Sequence, residues 1–300
     1  MKTITVDIGG TNIQYAVIKE NDELDYFHEY PTPVGQGGVH MIEQLAEKLY
    51  LHMDQVTSIG ISTANQVDSE TGVIIYANDN IPDYTGTPIK EILEKRLAVP
   101  VVVENDVNAA AIGEREFGDY KGLEDFIMLT YGTGIGGAIF MVGKLYKGSN
   151  YGAGEFGHMT THIDGLRCNC GQFGCYERYA STQALVRQAE KLNPLYDNGK
   201  IIMRTIKEEK DPSLTAIYHT WIHEIGQGLM TIIVSFQPSL ILLGGGIMEE
   251  SKIVEDIERD IKKTLMSSFS HVSIQSASLG NKAALYGALH LARSLVQSLN

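Results

Sequence analysis

The chain has 300 residues, 43% of them hydrophobic and 20% charged, and 37 acidic against 24 basic side chains give a formal net charge of −13. This is the composition of an ordinary soluble globular chain with enough apolar material for a large core and two domains of usual size. An acidic balance disfavours a sequence-independent grip on nucleic acid or on an anionic membrane.

The opening MKTITVDIGG runs into a strand pattern without the apolar stretch and small-residue cleavage site of a secretory signal, so the expected location is cytoplasmic. Thr3 to Ile8, a Gly9-Gly10-Thr11 turn and Ile13 to Ile18 read as a tight hairpin of two strands. Strands are then expected at 24–30, 57–62, 72–76 and 100–103, and helices at 36–53, 88–97 and 105–117. Gly118 and a charged stretch follow, which sets a first lobe at 1–117 and a second at 118–300. The hairpin device recurs at the head of the second lobe: Phe126 to Thr130, a Gly132-Thr133-Gly134 turn, and Ile135 to Met141. Helices at 181–192, 214–236, 250–266 and 281–298 and strands at 239–243 and 272–276 complete an alternating α/β pattern. Gly226 to Met248 carries no charge, but Gln237-Pro238 and Gly244-Gly245-Gly246 break it, so it reads as helix, turn, strand, turn and not as a membrane span. In the last helix Ala283, Ala284, Gly287 and Ala288 suit a close helix contact, on either lobe, including back on the first.

Three glycine turns, at Gly9-Gly10-Thr11, Gly132-Thr133-Gly134 and Gly244-Gly245-Gly246, each follow an apolar strand. Without a Cβ, such a turn lets backbone N–H groups approach phosphate oxygens, and threonine hydroxyls add donors. Singly, each is as well explained by an ordinary hairpin or strand-to-helix turn. Together they suggest one nucleotide gripped from several sides, and the repeated hairpin points to two related lobes facing each other across it.

All three cysteines fall within eight residues, Cys168-x-Cys170-x4-Cys175, and none remains for a disulfide framework. With one histidine they form the three-thiolate, one-imidazole set of a closed tetrahedral zinc site. His158, ten positions before Cys168, and His162 compete for the fourth place. Gly171 and Gly174 let the short segment fold back around an ion, which cysteines gathered by chance would not require.

In order along the chain, DIGGTNI (7–13), NDNIP (78–82), VPVVVENDVNAA (99–110), LTYGTGIGGAI (129–139), GAGEFGHM (152–159), CNCGQFGCYE (168–177) and LLGGGI (242–247) match a known pattern. On these segments the chain resembles the ROK family of sugar kinases over nearly its whole length. The resemblance implies an α/β, two-lobed actin-like ATPase (ribonuclease H-like) fold with duplicated phosphate hairpins and a cleft between lobes. It implies an ATP-dependent phosphotransferase acting on the alcohol group of a hexose or N-acylhexosamine, at the 6-hydroxyl, with Mg²⁺, a structural Zn²⁺ and a homodimeric assembly.

Carried over residue by residue, Asp106 is the catalytic base and Asn105 a sugar ligand; an Asn-Asp pair at a strand-to-helix junction also caps helices, and both roles can hold together. Glu155, His158 and Glu177 resemble the other sugar-hydroxyl ligands, and Asn80 a further one, though its segment also reads as a plain turn. The family motif Glu155-x-Gly157-His158 makes His158 the zinc ligand beside Cys168, Cys170 and Cys175, in a site without an open position. On the nucleotide side, Gly9, Gly10, Thr11 and Asn12 with Gly132, Thr133 and Gly134 bracket the phosphates. Asp7 orients Mg²⁺, and Gly244, Gly245 and Gly246 resemble the adenosine-side turn. One departure concerns the substrate: Ala64-Asn65 stands where the family commonly has Pro-Gly, which adds the Asn65 amide to a loop of the sugar pocket. The metal-loop form is closer to the glucokinase and N-acylhexosamine-kinase branches than to the fructokinase one, and a β-glucoside kinase fits too. The alternative is a non-catalytic sugar-binding regulator or sensor; family repressors prepend a DNA-binding module, whereas here the phosphate hairpin begins at residue 3.

Overall fold

The hairpin at the start of the chain forms because β1 (Lys2–Ile8) and β2 (Asn12–Lys19) pair antiparallel with Ile8 opposite Ile13, leaving only the glycine turn between them. The computed structural model describes residues 1–77, 81–209 and 211–299. β3 (Leu24–Pro31) extends the antiparallel set, and after α1 (Gly37–Tyr50) the chain returns as β4 (Val56–Thr63), parallel to β1. A small ribbon of β5 (Gln66–Asp68) and β6 (Val73–Tyr76) leads to α2 (Ile89–Leu97), β7 (Val101–Asn105) and α3 (Asp106–Phe117). The resulting sheet has the order β3-β2-β1-β4-β7. Its central parallel strands are buried on both faces, one of them apolar and the other carrying Thr5, Ser58, Ser62 and Glu104; Ile4, Val6, Ile8, Ile59 and Ile61 pack with Met41, Leu45 and Leu49 of α1 in one core.

The same plan is then repeated. β8 (Phe126–Tyr131), β9 (Ile135–Met141) and β10 (Lys144–Leu145) are antiparallel neighbours. Next come α4 (Glu177–Ala180), α5 (Thr182–Ala189), α6 (Gly199–Glu209) and α7 (Pro212–Phe236). β11 (Leu240–Gly244), α8 (Ser251–Ile261) and β12 (Ser273–Ser276) follow, and the two strands are parallel to β8. The second sheet, β10-β9-β8-β11-β12, thus matches the first strand for strand. The echo between the two hairpins in the sequence belongs to a repeat of whole sheets.

The chain divides into two compact units: Met1–Leu123 with Lys147–Ala153 and Asn281–Asn300, and Glu124–Tyr146 with Gly154–Gly280. The last helix, α9 (Ala283–Leu299), lies in the first unit, where the small residues of its opening turns allow backbone contact. A Cβ on Gly287 would stand 1.7 Å from the Ala109 carbonyl oxygen of α3, and one on Gly60 of β4 2.0 Å from that of Ala288.

Several expected boundaries move for a physical reason. α1 stops at Tyr50 and α8 at Ile261 because the following N–H groups bond three residues back, as in His52 to Leu49 and Lys263 to Asp260, and the chain tightens out of the α form. α6 was not expected: Asn198 Oδ1 accepts the Ile201 N–H at 3.0 Å and starts a helix that buries Ile202. Among the described residues no helix is long and apolar enough to cross a membrane.

Candidate functional site

In the first unit, the parallel register of β1 and β4 sets Asp7 opposite Ser62, whose hydroxyl donates to Asp7 Oδ1 at 2.7 Å. Burial raises the Asp7 carboxyl above its ordinary value of 3.8, with the Ser62 bond opposing. The turn beyond it is pinned by its own backbone: Gly9 N–H donates to Asn12 O at 3.0 Å, and the Thr32 hydroxyl donates to Gly9 O at 2.7 Å. Gly10 and Thr11 at the tip are exposed.

At the end of β7 the Asn105 side chain caps α3, its Oδ1 accepting from the N–H groups of Val107 and Asn108, each at 3.0 Å. Its Nδ2 donates to Asp106 Oδ1 at 2.9 Å and to the Asn65 carbonyl at 3.1 Å. The Asp106 carboxylate also accepts from Val107 N–H at 2.9 Å, at the positive end of the α3 dipole. Asn65 takes φ +80°, a left-handed conformation natural to glycine and tolerated by asparagine. Its carbonyl accepts from Asn105. Asn80 lies outside the described residues.

Four neighbours of this pair were not singled out in the sequence. Buried Tyr84 shares a 2.7 Å hydrogen bond with the Thr63 hydroxyl; burial pushes its phenol up, Thr63 opposes, and the Asp106 charge adds to the rise. Glu104 is 2% exposed and meets Lys147 Nζ at 2.6 Å. An acidic residue inside the apolar run Val101–Asn105 was the available signal, because buried carboxylates are paired.

In the second unit, Gly244 of β11 is in register with Thr130 of β8, so the two remaining glycine turns occupy one end of one sheet. Gly132 N–H donates to Gly134 O at 3.0 Å, and the N-terminal turn of α5 closes on them, Gln183 N–H reaching Gly132 O at 3.2 Å and the Thr182 hydroxyl reaching Tyr131 O at 3.0 Å. Thr133 is exposed at the tip. Gly245, at φ +96°, is required: a Cβ there would lie 2.3 Å from the Tyr131 carbonyl oxygen. A Cβ on Gly246 would meet nothing within 4 Å.

Glu155 and His158 flank a short turn whose Gly157 packs on β9, where a Cβ would stand 2.2 Å from Ile135 O. His158 Nε2 lies 3.8 Å from Glu155 Oε2, and its Nδ1 lies 3.7 Å from Cys168 Sγ and 4.0 Å from Glu177 Oε1. Cys170 and Cys175 sulfurs are 3.6 Å apart, and one ligand atom from each of His158, Cys168, Cys170 and Cys175 falls within 4.8 Å of all the others. Tetrahedral ligands held at about 2.3 Å from an ion stand about 3.7 Å from one another, so the donor set fits a four-coordinate metal. Burial raises the thiols of Cys168 and Cys175, which a cation would have to reverse. His162 is turned elsewhere: its ring stacks on Tyr179 with centroids 3.8 Å apart, and Nε2 faces Glu224 at 3.4 Å.

The sequence model of the ROK family matches residues 3–295. The chain belongs to the ROK family. Among curated relatives, this ROK chain is similar to a glucokinase of Streptomyces coelicolor, 36% identical with 97% of each chain covered. It is also similar to a beta-glucoside kinase of Listeria innocua, 32% identical with 97% of each covered. Its structure resembles a ROK family glucokinase from Streptomyces griseus solved in complex with glucose and AMPPNP, 34% identical, with a TM-score of 0.85 over 98% of this chain and 100% of that one. The paired sheets of the ROK chain are accordingly those of the actin-like ATPase fold.

Proposed function

We propose that this ROK protein is an ATP-dependent sugar kinase that transfers the γ-phosphoryl group to a hexose or N-acylhexosamine, at the 6-hydroxyl, with glucose as the first substrate to test and N-acetylmannosamine and a β-glucoside next. The observation that carries the reading is the Asn105-Asp106 pair: a carboxylate at the head of α3, aligned by a 2.9 Å bond from the neighbouring amide. Asp106 accepts the proton of the sugar hydroxyl as that oxygen bonds to the γ-phosphorus. The bond from the γ-phosphorus to the bridging oxygen breaks, and its electron pair leaves on the β-phosphate of ADP. Most of the acceleration comes from positioning and charge neutralisation.

Asn105, Asn65 and Asn80, with Glu155, His158 and Glu177, bind sugar hydroxyls. Each would be left with an unmet hydrogen bond by a compound lacking them, which rejects such compounds. The turns formed by Gly9, Gly10, Thr11 and Asn12, and by Gly132, Thr133 and Gly134, cradle the phosphates, while Gly244, Gly245 and Gly246 leave room for the adenosine. Asp7 is the carboxylate that orients Mg²⁺, which neutralises phosphate charge when bound. His158, Cys168, Cys170 and Cys175 hold a structural Zn²⁺ that fixes the loop bearing Glu155 and Glu177. With Nδ1 turned to the metal, His158 keeps its proton on Nε2 and donates it to a sugar oxygen. A homodimer is part of the proposal.

A coupled assay of ADP release with Mg-ATP and a panel of the three sugars tests it. Release with at least one of them, ranked by kcat/KM, is expected. Sugar binding by calorimetry without ADP release from any would replace the kinase with a non-catalytic sugar sensor.

A further inference from the structure

Lys147 opens the short segment Lys147–Ala153, which belongs to the first unit although the residues on either side of it belong to the second. The segment closes on itself with Ala153 N–H to Lys147 O at 3.1 Å, and the Lys147 ammonium ties it to the unit, donating to Ser69 Oγ at 2.6 Å and to Glu104 Oε2 at 2.6 Å. Glu104 spends its other oxygen on the candidate site. Oε1 accepts the backbone N–H of Asn105 at 3.0 Å and the side-chain amide of Asn108 at 3.0 Å. A continuous chain of bonds therefore runs from Lys147 through Glu104 to Asn105 and on to Asp106. A carboxylate as buried as Glu104 is tolerated only when its charge is paired.

We propose that the Lys147–Glu104 pair is a positioning device for the catalytic Asp106: it fixes the backbone from which Asn105 aligns the carboxylate, and it balances a buried negative charge two residues away. Among the described residues, Tyr84 senses the Asp106 charge, Glu104 and Lys147 are linked to Asp106 through Asn105, and Asp68 and Glu70, which flank Ser69 in the chain, interact with Tyr151. Removing Lys147 leaves Glu104 unpaired, and a like charge disfavours ionisation of Asp106. Removing the Glu104 charge leaves Lys147 unopposed, and an opposite charge favours ionisation.

This inference rests on the kinase reading only where turnover is measured. The test compares Lys147→Met, Lys147→Arg, Glu104→Gln and the Lys147→Met/Glu104→Gln double variant in the full chain. The midpoint of the Asp106 carboxyl is followed by carbon-13 resonance of labelled aspartate, alongside the pH profile of kcat/KM. Lys147→Met raises the midpoint and the acid limb by about 1 pH unit, Glu104→Gln lowers both, and the double variant returns them toward the wild-type value. Lys147→Arg keeps kcat within about twofold, as an ion pair of the same sign is retained. The double variant leaves neither member of the pair charged, so it stays informative if Lys147→Met fails to fold. If both single variants titrate Asp106 at the wild-type pH and only lower Tm, the pair is merely structural and the inference is overturned. A wild-type protein that phosphorylates no sugar sinks the kinase reading, while the resonance titration still decides this one.

Discussion

Asn105→Ala and Asn105→Ser separate two duties carried by one side chain. The Asn105 oxygen caps two N–H groups of α3 at 3.0 Å, and its nitrogen holds Asp106 and the Asn65 carbonyl at 2.9 and 3.1 Å. Loss of the cap costs about 1 kcal/mol and loss of the half-buried amide bonds about 0.5–1 kcal/mol more, so Asn105→Ala loses roughly 2 kcal/mol. For a unit of this size that lowers Tm by about 4–8 °C. Serine caps as well as asparagine does, so Asn105→Ser recovers the first contribution and melts about 2–4 °C above the alanine variant. Neither keeps the amide, so both lose at least about tenfold in kcat/KM, the equivalent of one hydrogen bond of 1.4 kcal/mol. Thermal unfolding by circular dichroism and the ADP-release assay read the two effects separately. The reasoning is refuted if Asn105→Ser retains wild-type kcat/KM, or if Asn105→Ala melts with the wild type.

Asp7→Asn trades function for stability. Because burial raises the Asp7 carboxyl on folding, its ionisation costs stability as pH climbs above the unfolded value near 3.8. The variant therefore melts higher than the wild type at pH 7, the gap closes as pH falls toward 4, and Mg-ATP turnover is lost; equal gaps at both pH values contradict the assignment. Cys170→Ser removes one of two sulfurs 3.6 Å apart, so zinc per chain measured by plasma mass spectrometry falls and the KM for sugar rises as the loop carrying Glu155 and Glu177 loosens. An unchanged zinc content dismisses this ligand set.

The hairpins were legible because each is a local device, an apolar strand, a glycine turn and a second strand within some twenty residues, and their repetition foretold two sheets of one plan. The thiol cluster was legible for the same reason, since its sulfurs are close in the chain before they are close in space; the resemblance chose His158 over His162, and the geometry groups His158 with the thiols while His162 meets Tyr179 and Glu224. The small residues of α9 announced a close helix contact, but which element they meet depends on backbone approaches such as that of Gly287 to Ala109. Lys147 carried no signal at all: it is one lysine in a loop, and its meaning comes from Glu104, 43 positions earlier and reached only through the fold. Asn65 was singled out for its amide; its positive φ and the bond its carbonyl accepts from Asn105 are features that only the fold reveals.

The central claim is that Asp106 takes the proton from the attacking sugar hydroxyl, and Asp106→Asn tests it most directly when ADP release and calorimetric sugar binding are measured on the same preparation. The amide keeps the shape and the N-terminal contacts of the carboxylate but cannot act as a base. The account predicts kcat lower by about 10²–10⁴ with sugar affinity within a few-fold of wild type. Wild-type kcat in that variant would contradict it.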